Sequence, residues 1–305
     1  MALEHLLSVH ELTATEVQEL VTLGREMKAD PARYRQALAG KSLAMIFMKS
    51  STRTRVSFEV GITQLGGQGL FLSSRDIQLN RGEPISDTAA VLSRYVDGIM
   101  ARTFAHDDVL NLAKYGTVPV INGLTDLLHP CQALADLMTV EEHFGDLAGR
   151  TLVYVGDGNN VAHSLMFAAA KAGMGFRCVA PDGYFMDPEM MALGRADAEA
   201  AGTELIQTSD LAGVDGADVV YTDVWASMGQ EDLQQVRLRD FQGYQVDDAL
   251  MARAGQDAIF MHCLPAHRGE EVSASVADGK QSVIFDQAEN RLHVQKAIMQ
   301  RLMAS

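Results

Sequence analysis

Cysteine is scarce in this chain of 305 residues, which contains only Cys131, Cys178 and Cys263. They are odd in number, far apart in sequence and without a C-x-x-C pair, so the sequence predicts neither a disulfide framework nor a zinc site. A thiol-reduced, cytoplasmic setting fits this pattern best. The segment from Met1 to Asp30 also lacks a basic stretch followed by an apolar run, so it predicts no secretory signal.

Long apolar runs and basic residues are also few. A membrane-spanning helix needs roughly 20 consecutive apolar residues, whereas the most apolar stretches here, such as 44–48 and 151–155, are much shorter. The 25 Lys and Arg residues are outnumbered by 40 Asp and Glu, which gives a net charge of -15. Because binding to nucleic acid needs a basic surface, we expect neither nucleic acid nor membrane as a partner. A bound anion would be held by a few arginines and backbone amides.

The chain does contain an alternation of strand and helix patterns, which is typical of α/β domains. Thr13 and Glu16 form a capping-box pattern that opens a first helix, and this helix is predicted to end near Asp30. The strands predicted after it are 42–48, 69–72, 98–101 and 118–121, and the helices are 54–65, 86–96, 107–115 and 130–144.

A second series of the same kind follows a short polar stretch at 145–150. Its predicted strands are 151–155, 177–180, 204–206, 218–222 and 258–262, and its helices are 161–172 and 188–201. No strand follows the last helix, 287–303, so we expect it to return to the first domain. The sequence thus predicts two doubly wound α/β domains with parallel sheets. They comprise residues 1–145 together with the C-terminal helix 287–305, and residues 146–286.

Hydroxyl and arginine residues follow the first strand, at Ser51–Arg55. In open parallel sheets, ligands bind beyond the carboxyl ends of the strands. A helix that begins there directs backbone N–H groups and the positive end of its dipole at an anion, and Arg53 and Arg55 can each bind phosphate oxygens in a bidentate manner. The segment therefore predicts a phosphate site. The alternative is an ordinary Ser/Thr helix cap with solvated arginines.

Two further strand ends of the first domain carry polar side chains. Arg102 follows the strand 98–101, where it can reach the same anion or simply close the strand at the surface. His129 precedes Pro130, a residue type that is favoured at the first helical position. From there His129 can donate a hydrogen bond to a carbonyl oxygen, and Gln132 can bind an amide. For His129 taken alone, a structural role is the alternative.

The second domain has three strand ends of interest. Gly156–Asn160 lies between a strand and a helix, as in dinucleotide-binding folds, but Val161 stands where the third glycine of G-x-G-x-x-G belongs. Asp223 follows the strand 218–222 and suits a ligand with an ammonium group, or else it caps a loop. Cys263 follows the strand 258–262, and a cysteine at such a position is most often an inert part of the core.

Five motifs together resemble, in order and spacing, those of the aspartate/ornithine carbamoyltransferase family, and of its ornithine-specific members in particular. They are STRTR at 51–55, HPCQ at 129–132, DGNN at 157–160, DVWASMG at 223–229 and HCLPA at 262–266. Each motif is weak alone, but five in order are very specific. The resemblance implies transfer of a carbamoyl group from carbamoyl phosphate to the δ-amine of L-ornithine, which gives L-citrulline and phosphate, without cofactor or metal.

The resemblance also implies roles for individual residues. The residues that would bind carbamoyl phosphate are Ser51, Thr52, Arg53, Thr54, Arg102, His129, Gln132, Cys263, Leu264 and Arg291, with Gln78 supplied by a neighbouring subunit of a homotrimer or a multiple of it. The residues that would bind ornithine are Asn160, Asp223, Ser227 and Met228. Those expected to act in catalysis are Arg102, His129, Cys263 and Asp223.

Other functions stay open at this point. Putrescine or N-acetylornithine as the acceptor is disfavoured because the loop 227–229 resembles the part of the family that binds an α-amino acid. Aspartate is disfavoured because Asp223 would repel a second carboxylate. A nicotinamide dehydrogenase would need the missing third glycine. A catalytically silent scaffold would be expected to have lost one of the residues Arg53, Arg102, His129 and Arg291, and all four are present.

Overall fold

A computed structural model describes residues 3–75, 77, 82–226 and 234–304. The strands are β1 (Ser42–Phe47), β2 (Gln68–Ser73), β3 (Gly98–Arg102), β4 (Val120–Leu124), β5 (Thr151–Val155), β6 (Gly175–Val179), β7 (Leu205–Thr208), β8 (Val219–Thr222) and β9 (Ile259–His262). The helices are α1 (Ala14–Ala29), α2 (Thr52–Gln64), α3 (Ile85–Leu92), α4 (His106–Tyr115), α5 (Pro130–Phe144), α6 (Asn160–Lys171), α7 (Pro188–Ala201), α8 (Gln234–Asp240), α9 (Asp248–Met251), α10 (Ala274–Ala277) and α11 (Ile284–Met303). Short 3-10 helices occupy Pro31–Tyr34 and Leu211–Val214.

The strands form two sheets in which every strand pair is parallel. The first sheet has the order β2-β1-β3-β4 and the second the order β7-β6-β5-β8-β9. In each sheet the chain first adds strands on one side and then crosses to the other side. This crossing, the topological switch point, lies between β1 and β3 in the first sheet and between β5 and β8 in the second. The predicted fold class is confirmed.

The chain divides into two compact units. Unit 1 comprises Met1–Met138 and Glu289–Ser305, and unit 2 comprises Thr139–Ala288. The larger part of α11 therefore belongs with the N-terminal residues, which confirms the expected return of the last helix. The units divide within α5 and α11, and the domain boundaries drawn from the sequence at 145 and 286 stay predictions.

Each unit has its own apolar core around its sheet. Strands β1, β3 and β4 are buried along almost their whole length, and so are β5, β8 and β9. Such continuous burial is typical of parallel sheets that are covered on both faces. No helix in the described parts of the chain is long and apolar enough to cross a membrane.

Local sequence signals fix several helix ends. Thr13 caps α1, and Glu16 completes the predicted capping box. Asp187 caps α7, whose first residue is Pro188, and Gly202 ends this helix with a positive φ of 68°. Helix α5 begins at Pro130, as predicted.

Some predicted boundaries were wrong. Strand β4 runs from Val120 to Leu124 instead of 118–121, because Pro119 has no N–H for the ladder and because the side chain of Asn122 finds a partner in the backbone carbonyl of Leu7, at 2.9 Å. Helix α2 begins at Thr52, two residues before the predicted start. Helices α8, α9 and α10 were not predicted.

Candidate active site

The switch point of the first sheet brings the ends of β1 and β3 together. Phe47, the last residue of β1, pairs with Arg102, the last residue of β3, so the loop 48–51 and the Arg102 side chain leave the sheet at the same edge. In open α/β sheets this is where a crevice for ligands forms. The guanidinium of Arg102 is buried, with the residue only 5% exposed.

The N-terminus of α2 supplies backbone donors at this edge. Ser51 is the N-cap residue, and its hydroxyl accepts a hydrogen bond from the N–H of Thr54 at 3.2 Å. Thr52 and Arg53 occupy the first turn and are exposed. Because the helix begins at Thr52, the predicted phosphate-binding residues Thr52, Arg53 and Thr54 lie in its first turn, where the backbone N–H groups and the helix dipole favour an anion.

A chain of buried hydrogen bonds links three predicted residues. Arg291 donates from Nη1 to Gln132 Oε1 at 2.6 Å and from Nη2 to Thr54 Oγ1 at 3.3 Å. Gln132 donates in turn from Nε2 to Asp136 Oδ1 at 2.8 Å. Four groups are therefore held in fixed orientations within unit 1, and Asp136 was not found by sequence reasoning. Its spacing of four residues from Gln132 on α5 was the signal that could have identified it.

His129 is buried just before α5 and is neutral. Burial lowers the pKa of its imidazole well below 6.5, and the positive charges of Arg291 and Arg102 lower it further. A neutral imidazole under the influence of two guanidinium groups can donate a hydrogen bond to a carbonyl oxygen without adding charge. By contrast, burial raises the pKa of the Cys131 thiol to about 12, which makes it unreactive as a nucleophile.

Lys49 is a further buried cation at the end of β1 that sequence reasoning did not select. Its ammonium forms an ion pair with Asp126 and lies 4.5 Å from the ring centre of Phe104. Asp126 follows β4, so this pair joins the loops after β1 and β4. A lysine directly after a buried strand was the signal in the sequence.

Unit 2 repeats this arrangement at its own switch point. Strand β8 pairs with β5 on one side and with β9 on the other, so the loop that begins with Asp223 lies between the loops after β5 and β9. Asp223 is 6% exposed. Its Oδ2 accepts a hydrogen bond from Asn159 Nδ2 at 3.0 Å, and its Oδ1 accepts one from Cys263 Sγ at 3.0 Å. The expected neighbours Asp223 and Cys263 are therefore in contact.

The loop after β5 leaves its helix amides unavailable to a phosphate. Asn159 Oδ1 caps α6 by accepting hydrogen bonds from the N–H groups of Val161 and Ala162. The N–H of Gly158 donates to the carbonyl of Tyr184 at 2.8 Å, and a Cβ added at Gly158 would lie 2.3 Å from the N atom of Met186. The backbone at 184–186 thus covers the turn that a dinucleotide would have to approach, which argues against the dehydrogenase alternative.

Arg237 joins the loops after β5 and β8 and was missed by sequence reasoning. Its Nη1 donates to Asp157 Oδ2 at 2.5 Å and to the backbone carbonyl of Trp225. Burial raises the pKa of Asp157, and Arg237 opposes that shift. A guanidinium therefore holds the chain at Trp225, two residues before the segment 227–233 begins.

The loop after β9 has an unusual backbone. Leu264 has a φ of 60°, a conformation that is uncommon outside glycine and costs roughly 1–3 kcal/mol. The peptide bond between Leu264 and Pro265 is cis. Residues other than glycine that are held at a positive φ, as Leu264 is, are concentrated at functional sites.

Two clusters in the described residues have donor atoms close enough to hold a metal ion, Asp223, His262 and Cys263 in one and His267, Glu270 and Glu271 in the other. In the first cluster, hydrogen bonds already join Cys263 to Asp223 and engage both ring nitrogens of His262. That arrangement is complete without an ion.

The structure distributes the predicted residues over both units. Unit 1 contains Ser51, Thr52, Arg53, Thr54, Arg102, His129, Gln132 and Arg291, and unit 2 contains Asn160, Asp223, Cys263 and Leu264. Gln78, Ser227 and Met228 lie outside the described residues. The roles of all these residues stay predictions.

Family models match most of the chain. The model described as aspartate/ornithine carbamoyltransferase, carbamoyl-P binding domain, matches residues 4–142. The model described as aspartate/ornithine carbamoyltransferase, Asp/Orn binding domain, matches residues 148–302.

Individual relatives are similar over nearly the full length. An ornithine carbamoyltransferase of Oceanobacillus iheyensis is 59% identical over 302 residues, which are 98% of this chain and 94% of the relative. A protein of Halobacterium salinarum named ornithine carbamoyltransferase, catabolic, is 52% identical and covers 99% of both chains. The solved structure of the ornithine carbamoyltransferase from Pyrococcus furiosus has a TM-score of 0.95 and 51% identity, and it covers 99% of this chain and 97% of its own.

Proposed function

The chain belongs to the aspartate/ornithine carbamoyltransferase family, and on that premise we propose that it transfers the carbamoyl group of carbamoyl phosphate to the δ-amine of L-ornithine, releasing L-citrulline and phosphate. The observation that carries the proposal is which residues lie at the two switch points. One has arginines and a helix N-terminus suited to a phosphate. The other has a buried carboxylate, Asp223, suited to a cationic acceptor.

The donor is bound mainly by residues of unit 1. In the proposal, Ser51, Thr52, Arg53 and Thr54 bind the phosphate together with Arg102. Gln132 Oε1 accepts from the carbamoyl NH2 group, and Arg291, whose guanidinium can only donate, orients Gln132 through the hydrogen bond of 2.6 Å that it gives to the same oxygen. The backbone and thiol at Cys263 and Leu264 complete the set.

The reaction consists of one attack and one departure. The neutral δ-nitrogen forms a bond to the carbamoyl carbon, negative charge builds on the carbonyl oxygen, and the bond to the phosphate oxygen breaks. The phosphate is basic enough to take the proton that the nitrogen loses. Arg102 and neutral His129 stabilise the oxygen, and donors fixed in advance of the reaction are usually the largest single contribution to such catalysis.

The acceptor is bound by residues of unit 2. A free alkylammonium group has a pKa near ~10.4, so ornithine arrives mostly as a cation, and its δ-ammonium must lose a proton to solvent before the attack. Asp223 attracts this cation and, with Cys263, orients the amine. Asn160, Ser227 and Met228 bind the α-amino and carboxylate groups. The same buried carboxylate would repel the second carboxylate of aspartate, which supports ornithine over the family's other acceptor.

A trimer is supported by an exposed apolar face next to the phosphate site. Val56, Val60 and Leu70 are 51%, 39% and 39% exposed. The two valines line a cavity of about 810 Å³ that also includes Ser51, Thr52 and Arg55. Exposed apolar surface of this kind marks interaction sites, and we propose that a second copy covers it and supplies Gln78. A cytoplasmic location stays a prediction, and the reaction assigned here serves arginine synthesis and breakdown equally.

The test is an acceptor comparison at saturating carbamoyl phosphate. Formation of the ureido product is measured with ornithine, putrescine, N-acetylornithine and aspartate, each over the same concentration range. We expect turnover with ornithine and a kcat/KM at least about 100-fold lower with the others, because each lacks or adds a charged group that the site must pair. Preferred turnover of aspartate would refute the proposed acceptor, and no turnover with any of the four would refute the proposed reaction.

A further inference from the structure

Glu271 is a carboxylate buried in unit 2, outside every predicted site residue. It is 0% exposed. Its Oε1 accepts two hydrogen bonds, from His262 Nε2 at 3.1 Å and from the backbone N–H of His267 at 2.5 Å. Burying a charged group is unfavourable unless such partners compensate it. The position of this carboxylate is therefore determined by the groups that it accepts from.

His262, the last residue of β9, connects Glu271 to the loop that follows the strand. Its Nδ1 accepts a hydrogen bond from the backbone N–H of Leu264 at 2.9 Å. Because Nδ1 acts as an acceptor, the proton of the neutral imidazole is on Nε2, where it is donated to Glu271. The backbone N–H of His262 donates to Gln287 Oε1 at 2.9 Å, so the residue is held at its main chain as well.

The N–H of Leu264, which donates to His262, belongs to the peptide that joins Cys263 to Leu264. Leu264 is the residue with the positive φ of 60°, and Cys263 is the residue whose thiol donates to Asp223. This hydrogen bond therefore ties the plane of the Cys263–Leu264 peptide to the orientation of the imidazole, directly beside the thiol that donates to Asp223.

We propose that Glu271 and His262 are positioning residues, which hold the Cys263–Leu264 peptide and the Cys263 thiol in the orientation that the transfer reaction uses. The role assigned to that peptide rests on the proposed function. Both residues are fully buried, so this role needs no contact with the substrates. Glu271 acts by accepting a hydrogen bond from the Nε2–H of His262. The proton thus stays on Nε2, and Nδ1 can accept a hydrogen bond from the N–H of Leu264. Without that acceptor the proton can move to Nδ1, where it opposes the N–H of Leu264.

The test compares two substitutions of Glu271. In Glu271→Gln the amide oxygen can still accept from His262 and His267, whereas Glu271→Ala removes the acceptor. We expect Glu271→Ala to lower kcat by on the order of 100-fold and to change the KM for carbamoyl phosphate by less than about threefold, because that ligand is bound mainly in unit 1. Glu271→Gln should stay within about fivefold of the unmodified enzyme. Equal losses in both variants would overturn the proposal, since the charge would then matter and not the acceptor.

A matched control separates positioning from stability. Val276 is buried in the apolar core of the same unit, 5% exposed, and lies outside the site. Val276→Ala lowers the stability of unit 2 without removing a polar contact, and we expect its kcat to be unchanged. A loss of kcat in Val276→Ala as large as in Glu271→Ala would assign the effect to stability and overturn the proposal.

A readout independent of turnover is the reaction of Cys263 with a thiol reagent. Cys131 and Cys178 are buried, and only Cys263 is partly exposed. We expect Glu271→Ala to raise its labelling rate by roughly tenfold or more as the loop loosens, and Glu271→Gln to leave it unchanged. Unchanged labelling in Glu271→Ala would overturn the proposal. The labelling rate can be measured even if the enzyme uses another acceptor. Failure of the proposed function and failure of the proposed positioning role are therefore distinguishable.

Should Glu271→Ala fail to fold, two substitutions of His262 give the same answer. In His262→Asn the side-chain oxygen takes the place of Nδ1 and can still accept from Leu264. In His262→Gln the amide instead reaches toward Glu271 and the acceptor for Leu264 is lost. We expect slow labelling of Cys263 in His262→Asn and fast labelling in His262→Gln, and the reverse order would overturn the proposal.

Discussion

Arg53 lies exposed in the first turn of α2, so it supports little packing and stands among the residues predicted to bind the phosphate. We expect Arg53→Ala to weaken carbamoyl phosphate binding by roughly 100-fold, since a charged hydrogen-bonded pair contributes about 3 kcal/mol. Calorimetric titration measures the affinity. The melting temperature of Arg53→Ala should differ little from that of the unmodified protein. Arg55→Ala is the control, because Arg55 is also exposed, but its guanidinium already stacks on Phe71 and pairs with Glu59. Binding that is unchanged in Arg53→Ala would place the phosphate elsewhere.

A substitution of Asp223 tests the proposed binding of ornithine in the same way. Both of its oxygens accept hydrogen bonds, from Asn159 and from Cys263, and an amide can accept at only one. We expect Asp223→Asn to raise the KM for ornithine and lower turnover by at least about tenfold, because the attraction for the cationic amine is lost. The affinity for carbamoyl phosphate should stay nearly constant. A normal ornithine KM with normal turnover would remove Asp223 from the site and leave it a structural role.

His129 predicts a pH dependence of stability. Burial lowers the pKa of its imidazole well below 6.5, as do Arg291 and Arg102. Below pH 6.5 the unfolded chain therefore holds a proton that the folded chain does not, so this contribution to stability is complete above pH 6.5 and falls as the pH decreases. The loss is up to about 1.4 kcal/mol per pH unit for one proton.

Proton uptake on unfolding in guanidinium measures this directly. At pH 5.5 we expect His129→Asn to take up close to one proton fewer than the unmodified chain. His5 and His106, whose pKa values burial also lowers, keep contributing in both proteins. Equal uptake by the two proteins would show that His129 is protonated in the folded state.

At the scale of elements, the loop between β5 and α6 depends on close backbone packing at Gly158. A Cβ there would lie 2.3 Å from Met186 N and 2.5 Å from the carbonyl carbon of Phe185, and neither backbone atom can move freely. We expect Gly158→Ala to cost about 1–3 kcal/mol of stability and to raise the KM for ornithine, because Asn159 and Asn160 follow directly. Gly175→Ala is the control, since its nearest neighbour would be at an ordinary 3.5 Å. Equal melting temperatures in the two variants would contradict this packing argument.

Elements with a strong local signal could be predicted from the sequence, and those fixed by distant contacts could not. Helix α5 was predicted at its observed bounds because Pro130 marks its start. Strand β4 was misplaced because Asn122-Gly123 resembles a turn, and only the N-terminal segment at Leu7 satisfies Asn122 within the sheet. Helices α9 and α10 have four residues each, too few for a helical period to show.

The same difference holds within the candidate site, where residues at strand ends could be predicted and the residues that support them could not. Strand ends located the phosphate loop, Arg102 and Asp223, because the rule that ligands bind at the carboxyl ends of parallel strands needs only the order of elements. The supporting residues Asp136, Arg237 and Glu271 were missed. Only the spacing of four residues from Gln132 pointed to Asp136, and Arg237 acts through contacts that the sequence does not reveal. Glu271 lies in a largely polar segment, 267–271, where nothing indicates complete burial.

For the whole molecule, the net charge of -15 opposes the approach of an anionic substrate, and local arginines must overcome it. Exposed charges farther apart than about 8 Å are largely screened at physiological salt. The clustering of Arg53, Arg102 and Arg291 in unit 1 therefore matters more than the overall sign.

Gln78 is the residue predicted to cross between subunits, and mixing variants tests this without any structure of the assembly. Arg53→Ala and Gln78→Ala should each form trimers with little activity. If Gln78 acts on the neighbouring subunit, a site that combines the phosphate loop of a Gln78→Ala subunit with the Gln78 of an Arg53→Ala subunit is intact. After dissociation and reassembly of an equal mixture, cyclic symmetry and random association make about a quarter of the sites intact.

Recovery of citrulline formation to about a quarter of the activity of the unmodified enzyme is the expected result. Ultracentrifugation checks that the mixed species are trimers. Recovery that stays at the level of the separate variants would place Gln78 in its own subunit's site, because no mixed trimer would then contain a complete set of residues. Normal activity of Gln78→Ala alone would place Gln78 outside the site.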